Sequence, residues 1–184
     1  MIDLLAEQKK YILYHLGNGD VAADFTMGNG HDTEFLVNTV GEEGKVYAFD
    51  IQELALVNTK KRLVENGCPE NYELILDSHS NADKYIKSKI KAGVFNLGYL
   101  PGSGQKELTT KRETTLKAIN IAIDLMDKDA IILIAVYPGH EEGEIEGRLI
   151  KEMLSKLDRR CYCVTEIMIL NSPTSPYFIL VENK

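Results

Sequence analysis

The sequence predicts an α/β fold: a three-layer, Rossmann-like arrangement around a seven-stranded, mostly parallel sheet that ends in an antiparallel hairpin. Three observations predict it. Short runs rich in apolar, β-branched and aromatic residues alternate with longer stretches of helical period. The first three such runs, 21–25, 46–49 and 72–76, each stop at or near an acid: Asp24, Asp50 and Asp77. The last two, 161–170 and 177–182, are joined by Asn171-Ser172-Pro173-Thr174-Ser175-Pro176. That connection is too short for a crossover helix, so these two strands are antiparallel neighbours.

Each element follows from its local pattern. Residues 4–16 form a leading helix, and 31–40 a second one closed by Gly41. Residues 52–66 make a helix closed by Gly67, and His79 caps a short helix over 81–89 or lines a pocket at that point. Val94-Phe95-Asn96 is a short fourth strand, followed by a long helix over 109–126. Residues 130–136 are seven consecutive apolar residues bounded by Asp129 and Tyr137-Pro138-Gly139, the pattern of a central strand covered on both faces. A helix over 141–157 follows, with acids in its first turn where they complement the macrodipole. No repeat, linker or low-complexity tract interrupts residues 1–184, which read as one domain.

A formal charge of −7 argues against nonspecific coating of nucleic acid, yet leaves room for a local basic rim. The N-terminus lacks a basic head followed by an apolar core, and no run of about 18 apolar residues occurs. A soluble, cytoplasmic protein is expected, with no membrane partner. The three cysteines, Cys68, Cys161 and Cys163, have neither redox nor zinc spacing, so they read as reduced thiols and no metal is expected.

The chemistry starts at Asp24-Phe25-Thr26-Met27-Gly28-Asn29-Gly30-His31-Asp32, a strand end followed by a glycine turn that opens a helix. Gly28 and Gly30 let a ligand approach the backbone, and the helix start offers free N–H groups and a positive dipole end to an anion. Asp50 ends the next strand twenty residues after Gly30, where an acid hydrogen-bonds ribose hydroxyls. A dinucleotide suits both features, but its fingerprint wants a small residue at position 33, and Thr33 there is expected to crowd helix against strand. As a plain strand-to-helix connection, the same turn would be capped by Asp32.

With the terminal hairpin, these features resemble the class I S-adenosylmethionine-dependent methyltransferases. Thr26-Met27-Gly28-Asn29-Gly30-His31-Asp32-Thr33, Leu76-Asp77-Ser78-His79 and Asn96-Leu97-Gly98-Tyr99-Leu100-Pro101-Gly102 together are similar to a narrower family of rRNA-methylase-like proteins. That family is associated with methylation of 5-(aminomethyl)-2-thiouridine at the tRNA wobble base. The resemblance implies S-adenosyl-L-methionine as cofactor and a homodimer. It implies that Thr26, Gly28, Asn29, Gly30 and Asp32 hold the methionine end, Asp50 the ribose, Gln52 the ribose or adenine, and Asp77, Ser78 and His79 the adenine side.

Asn96-Leu97-Gly98-Tyr99 resembles the Asn-Pro-Pro-Tyr tetrapeptide of amino-group methyltransferases, with Leu97 and Gly98 in place of the prolines. In that motif an amide oxygen and a backbone carbonyl accept hydrogen bonds from the target amine, and the aromatic ring stacks on the base. Asn96 and Tyr99 are therefore the expected catalytic pair, with Leu97, Gly98 and Pro101 lining the substrate. An alkylamine with a pKa of about 10 is protonated at neutral pH, so the site must favour its neutral form or accept a proton. Tyr137 and His140 lie on the same rim, without a clear general base between them. Lys106, Lys111 and Arg112, with Lys9 and Lys10, are candidates for phosphate contacts to an anticodon stem-loop, and Tyr99 or Tyr137 for stacking on an extruded base. Lys60-Lys61-Arg62 and the lysines of 84–91 read as solvated surface. Other acceptors, rRNA or a small amine, and a non-catalytic nucleoside-binding role remain open alternatives.

Overall fold

In the computed structural model, which describes residues 4–97, 112–139 and 141–184, the strands form one sheet in the order β3-β2-β1-β4-β5-β7-β6. The strands are β1 (Val21–Asp24), β2 (Lys45–Asp50), β3 (Tyr72–Leu76), β4 (Ile90–Leu97), β5 (Met126–Val136), β6 (Tyr162–Ile167) and β7 (Tyr177–Asn183). β1 to β5 pair in parallel, and β7 runs antiparallel to both β5 and β6. The expected sheet and its reversed last strand are both present. Order reverses between β1 and β4, where an open α/β sheet leaves a crevice beyond the strand ends.

Alternation along the strands divides the core into two layers. Ile131 and Leu133 of β5 pack with Ala22, Val46 and Val94 against Ile12 of α1 (Leu4–Leu13), Leu36, Val37 and Val40 of α2 (His31–Val40), and Leu63 of α3 (Glu53–Glu65). Ile132, Ile134 and Val136 face the other way. They pack with Phe25 and Phe95 against Ile119 and Ala122 of α4 (Arg112–Leu125) and Ile150 and Leu154 of α5 (Glu141–Leu154). Among the described residues, no helix is long and apolar enough to cross a membrane.

Three boundaries differ from the sequence reading. β4 begins at Ile90, because Ile90 and Ala92 are buried inward-facing residues that the short apolar core 94–96 does not reveal. β5 starts at Met126 beside Ile90, and pairing resumes at Ala92 with Ile131, so 127–129 are displaced from the ladder. Asp129 turns there with φ of 53°, and its carbonyl meets His15 Nδ1 at 2.8 Å. The expected helix over 81–89 is a 3₁₀ turn, His79–Lys84, whose start is capped by Ser78.

Candidate active site

The tips of β1, β2 and β4 meet at the crevice, over a stack of three aromatic rings. Phe25 lies parallel to Phe95 at 4.4 Å between centroids and to Phe49 at 6.0 Å, one ring from each strand. All three are buried, so they fix the spacing of the strand ends above them. His79 closes this floor: its Nδ1 meets the Phe25 carbonyl at 2.9 Å, and burial pushes its pKa down, leaving a neutral ring. His79 is buried, and Ser78 takes the capping position that is one of the two sequence readings for His79.

On the β2 side, the main chain of the glycine turn meets the Asp50 carboxylate. Gly28 has φ of 53° and Gly30 of 79°, both in the left-handed region. Gly28 N–H donates to Asp50 Oδ2 and Gln52 N–H to Asp50 Oδ1, each at 3.0 Å. An ionised carboxylate accepts about four hydrogen bonds, so Asp50 retains acceptor capacity beyond these two. Gly30, not Asp32, occupies the N-cap of α2, and no side chain caps the helix start. First-turn N–H groups lack intrahelical acceptors and are left for a ligand or water.

Helix α3 clamps the turn from outside, a contact the sequence reading missed. Thr59 Oγ1 donates to the Gly28 carbonyl at 3.1 Å, Arg62 Nε to the Asn29 carbonyl at 2.8 Å, and Asn58 Nδ2 to Asn29 Oδ1 at 3.0 Å. Arg62 also pairs with Glu34 at 3.0 Å, where Asn66 donates at 2.9 Å. Arg62 is therefore not solvated surface like its neighbours. Asn58, Arg62 and Asn66 recur every fourth residue, which is the signal that marks one polar helix face. The packing is close: a Cβ on Gly30 would lie 2.7 Å from Thr59 Oγ1 and 3.0 Å from its Cα.

On the β4 side, side chains do the holding. Asp24 is buried, and it accepts from Thr33 Oγ1 at 2.6 Å and from Thr26 N–H at 3.0 Å. The expected crowding by Thr33 is absent, since its hydroxyl satisfies the acid beneath it. Burial first, and then the Asp32 charge, push the Asp24 pKa up to about 7. Across the crevice, Thr26 Oγ1 accepts from Asn96 N–H at 2.7 Å, joining β1 to β4. Asn96 Nδ2 donates to Asp32 Oδ2, while Asn96 Oδ1 accepts from the Tyr137 hydroxyl at 3.3 Å. Burial raises the Asp32 pKa despite the nearby Lys9 and His31, and burial followed by the Asp32 charge raises that of Tyr137.

The remaining expected residues divide into two groups. Asp77 lies at the end of β3, where it accepts from Ser78 N–H, Asn81 and Tyr85. Those bonds, led by Asn81, hold its pKa below the usual carboxylate range. Leu97 ends β4 and is buried in the core. Gly98, Tyr99, Pro101, Lys106, Lys111 and His140 lie outside the described residues, as does the side chain of Arg112 at the start of α4.

Residues 46–183 match the family model described as "Putative rRNA methylase". The chain belongs to this family. It is 37% identical to a Clostridium thermocellum protein described as a "putative rRNA-methylase", with a TM-score of 0.96 over 100% of this chain and 99% of that one. A Streptococcus mutans protein described as "a putative methyltransferase", solved in complex with SAH, is 33% identical with a TM-score of 0.90, over 100% of this chain and 99% of that one. The chloroplastic tRNA (mnm5s2U34)-methyltransferase of Arabidopsis thaliana is 31% identical over 89% of this chain. This chain spans 63% of that relative's length. The family places the protein among the S-adenosyl-L-methionine-dependent methyltransferases of class I fold.

Proposed function

We propose that this methyltransferase transfers a methyl group from S-adenosyl-L-methionine to the aminomethyl nitrogen of a modified wobble uridine in tRNA. The observation that carries the reading is Asn96: an amide at the tip of β4, at the switch point, tied to the wall of the glycine turn through Thr26 and Asp32. The name of the Arabidopsis relative supports a wobble uridine as the acceptor.

The residues present fit the cofactor. Asp50, fixed by two backbone amides, has acceptor capacity for a ribose diol, and the uncapped start of α2 suits a carboxylate. Asn29 lies in the same turn, and Asp77 and Ser78 at the β3 tip are the expected adenine neighbours. The cofactor, when bound, supplies an electrophilic methyl group on a sulfonium, so the acceptor needs only a free lone pair. Asn96 Oδ1 would accept an N–H of the target amine and aim its lone pair, a gain of positioning rather than of bond chemistry. Desolvation in the crevice favours the neutral amine over its ammonium form. Tyr99 and Tyr137 would stack on the extruded base, with the anticodon stem-loop as partner and Lys9 and Lys10 at its phosphates.

The test uses labelled S-adenosyl-L-methionine and total tRNA from cells lacking the gene. Label in a wobble uridine, identified by mass spectrometry of nucleosides, is the expected result. Label only in rRNA or in small amines would overturn the acceptor, and no binding of S-adenosyl-L-methionine by calorimetry would overturn the cofactor.

A further inference from the structure

The geometry points to Asp32 as a positioning residue that sets which face of the Asn96 amide the target amine meets. The inference rests on the reading of Asn96 as the amine's acceptor, and it gives Asp32 a different task from the cofactor contact expected from sequence.

The Asn96 NH₂ faces Asp32 and donates to its Oδ2, the orientation that the anionic form of Asp32 requires, since a carboxylate only accepts hydrogen bonds. Asn96 Oδ1 then points to the opposite side, where the Tyr137 hydroxyl donates to it at 3.3 Å. An acceptor with two lone pairs has room for a second donor, which is the role the amine needs. Rotating the amide by half a turn would present two N–H donors to the amine and repel it. Asp32 therefore holds the productive orientation, and its charge polarises the amide so that Oδ1 becomes a stronger acceptor. The Asn96 backbone is pinned separately by Thr26 at 2.7 Å, so only the side-chain rotation depends on Asp32.

The titratable and charged groups around this pair come from each neighbouring element. Lys9 approaches from α1, His31 precedes Asp32 on α2, Asp24 lies at the end of β1, and Tyr137 follows β5. Lys9 and His31 favour the anionic form of Asp32, while burial opposes it more strongly. Protonation of Asp32 gives it an O–H donor, which removes the reason for Asn96 to keep its NH₂ on that side.

Two measurements test the role. In the first, Asp32→Asn, Asn96→Ala and the double variant are assayed for methyl transfer to the tRNA pool and for binding of S-adenosyl-L-methionine. Asp32→Asn is expected to lower kcat about 10- to 100-fold with cofactor affinity within about twofold, and to cost nothing further in the Asn96→Ala background. Weakened cofactor binding with unchanged kcat, or additive losses in the double variant, would overturn the positioning role. Full activity of Asn96→Ala would instead remove the parent reading and this inference with it.

The second measurement needs no acceptor. In ¹⁵N spectra, the Asn96 side-chain amide, assigned by its disappearance in Asn96→Ala, is expected to show one strongly downfield proton. That proton should move upfield in Asp32→Asn, and on acidification of the unmodified protein. An amide signal indifferent to Asp32→Asn overturns the proposal even where the variant's activity falls.

Discussion

The two sides of the crevice are built from different materials. On the β2 side, Asp50 and the glycine turn are held by backbone N–H groups and by donors from α3. On the β4 side, Asp24, Thr33, Asp32, Asn96 and Tyr137 hold one another through side chains. Main-chain donors survive every substitution except proline, and they do not titrate. A side-chain network can be broken one atom at a time, and two of its acids have raised pKa values. The contrast suits a class of enzyme in which one cofactor meets many acceptors.

Substitutions sharpen that contrast. The largest effect is expected at Asn96→Ala: kcat falls about 100- to 1,000-fold, as for loss of one preorganised polar contact to the reacting group, with cofactor affinity retained. Calorimetry and single-turnover rates on the same preparation check it. Gly30→Ala comes next, because a Cβ at φ of 79° collides with Thr59. A loss of about 2–3 kcal/mol in denaturant unfolding is expected, and a Thr59→Ser companion should recover part of it. Asp50→Ala is expected to weaken S-adenosyl-L-methionine binding about 10- to 50-fold while leaving chemistry in the saturated enzyme within a few-fold.

Asp24 supplies a pH dependence confined to the β4 side. Its folded pKa of about 7 lies above its ordinary 3.8, so the folded chain binds this proton more tightly than the unfolded one. The associated stability is fully present below about pH 4 and is lost as pH rises through about 7. The unfolding free energy should therefore decline from this group between those values, by an amount on the order of a few kcal/mol, and Asp24→Asn should flatten the decline. A slope unchanged by Asp24→Asn would assign it to other groups. Tyr137→Phe is the mildest: it removes one 3.3 Å bond to Asn96. Turnover should drop about two- to fivefold.

Much of the β2 side was legible in the sequence, because its signals are local. Glycines at a strand-to-helix turn, an acid at each strand tip and the short terminal connection are all read within a few residues. Asn96 was legible too, through a tetrapeptide. The α3 clamp was less so, because Lys60-Lys61-Arg62 looks like one charged run. Only the helical spacing of Asn58, Arg62 and Asn66 separates the residue that turns inward from those that do not.

The sequence by itself determined the class of sheet, the reversed last strand, the glycine turn and the acid at the tip of β2, since hydrophobic period and backbone freedom act over neighbouring residues. Tertiary structure alone decided the partners. Asp24 meets Thr33 across the first turn of α2, and Asp32 meets Asn96 across a sequence separation of 64. The order of strands in the sheet brings β1 beside β4, and no local pattern encodes that adjacency. Thr33 illustrates the physical reason. As a side chain of given size it predicts crowding, and only a buried carboxylate 2.6 Å away turns its hydroxyl into a required donor.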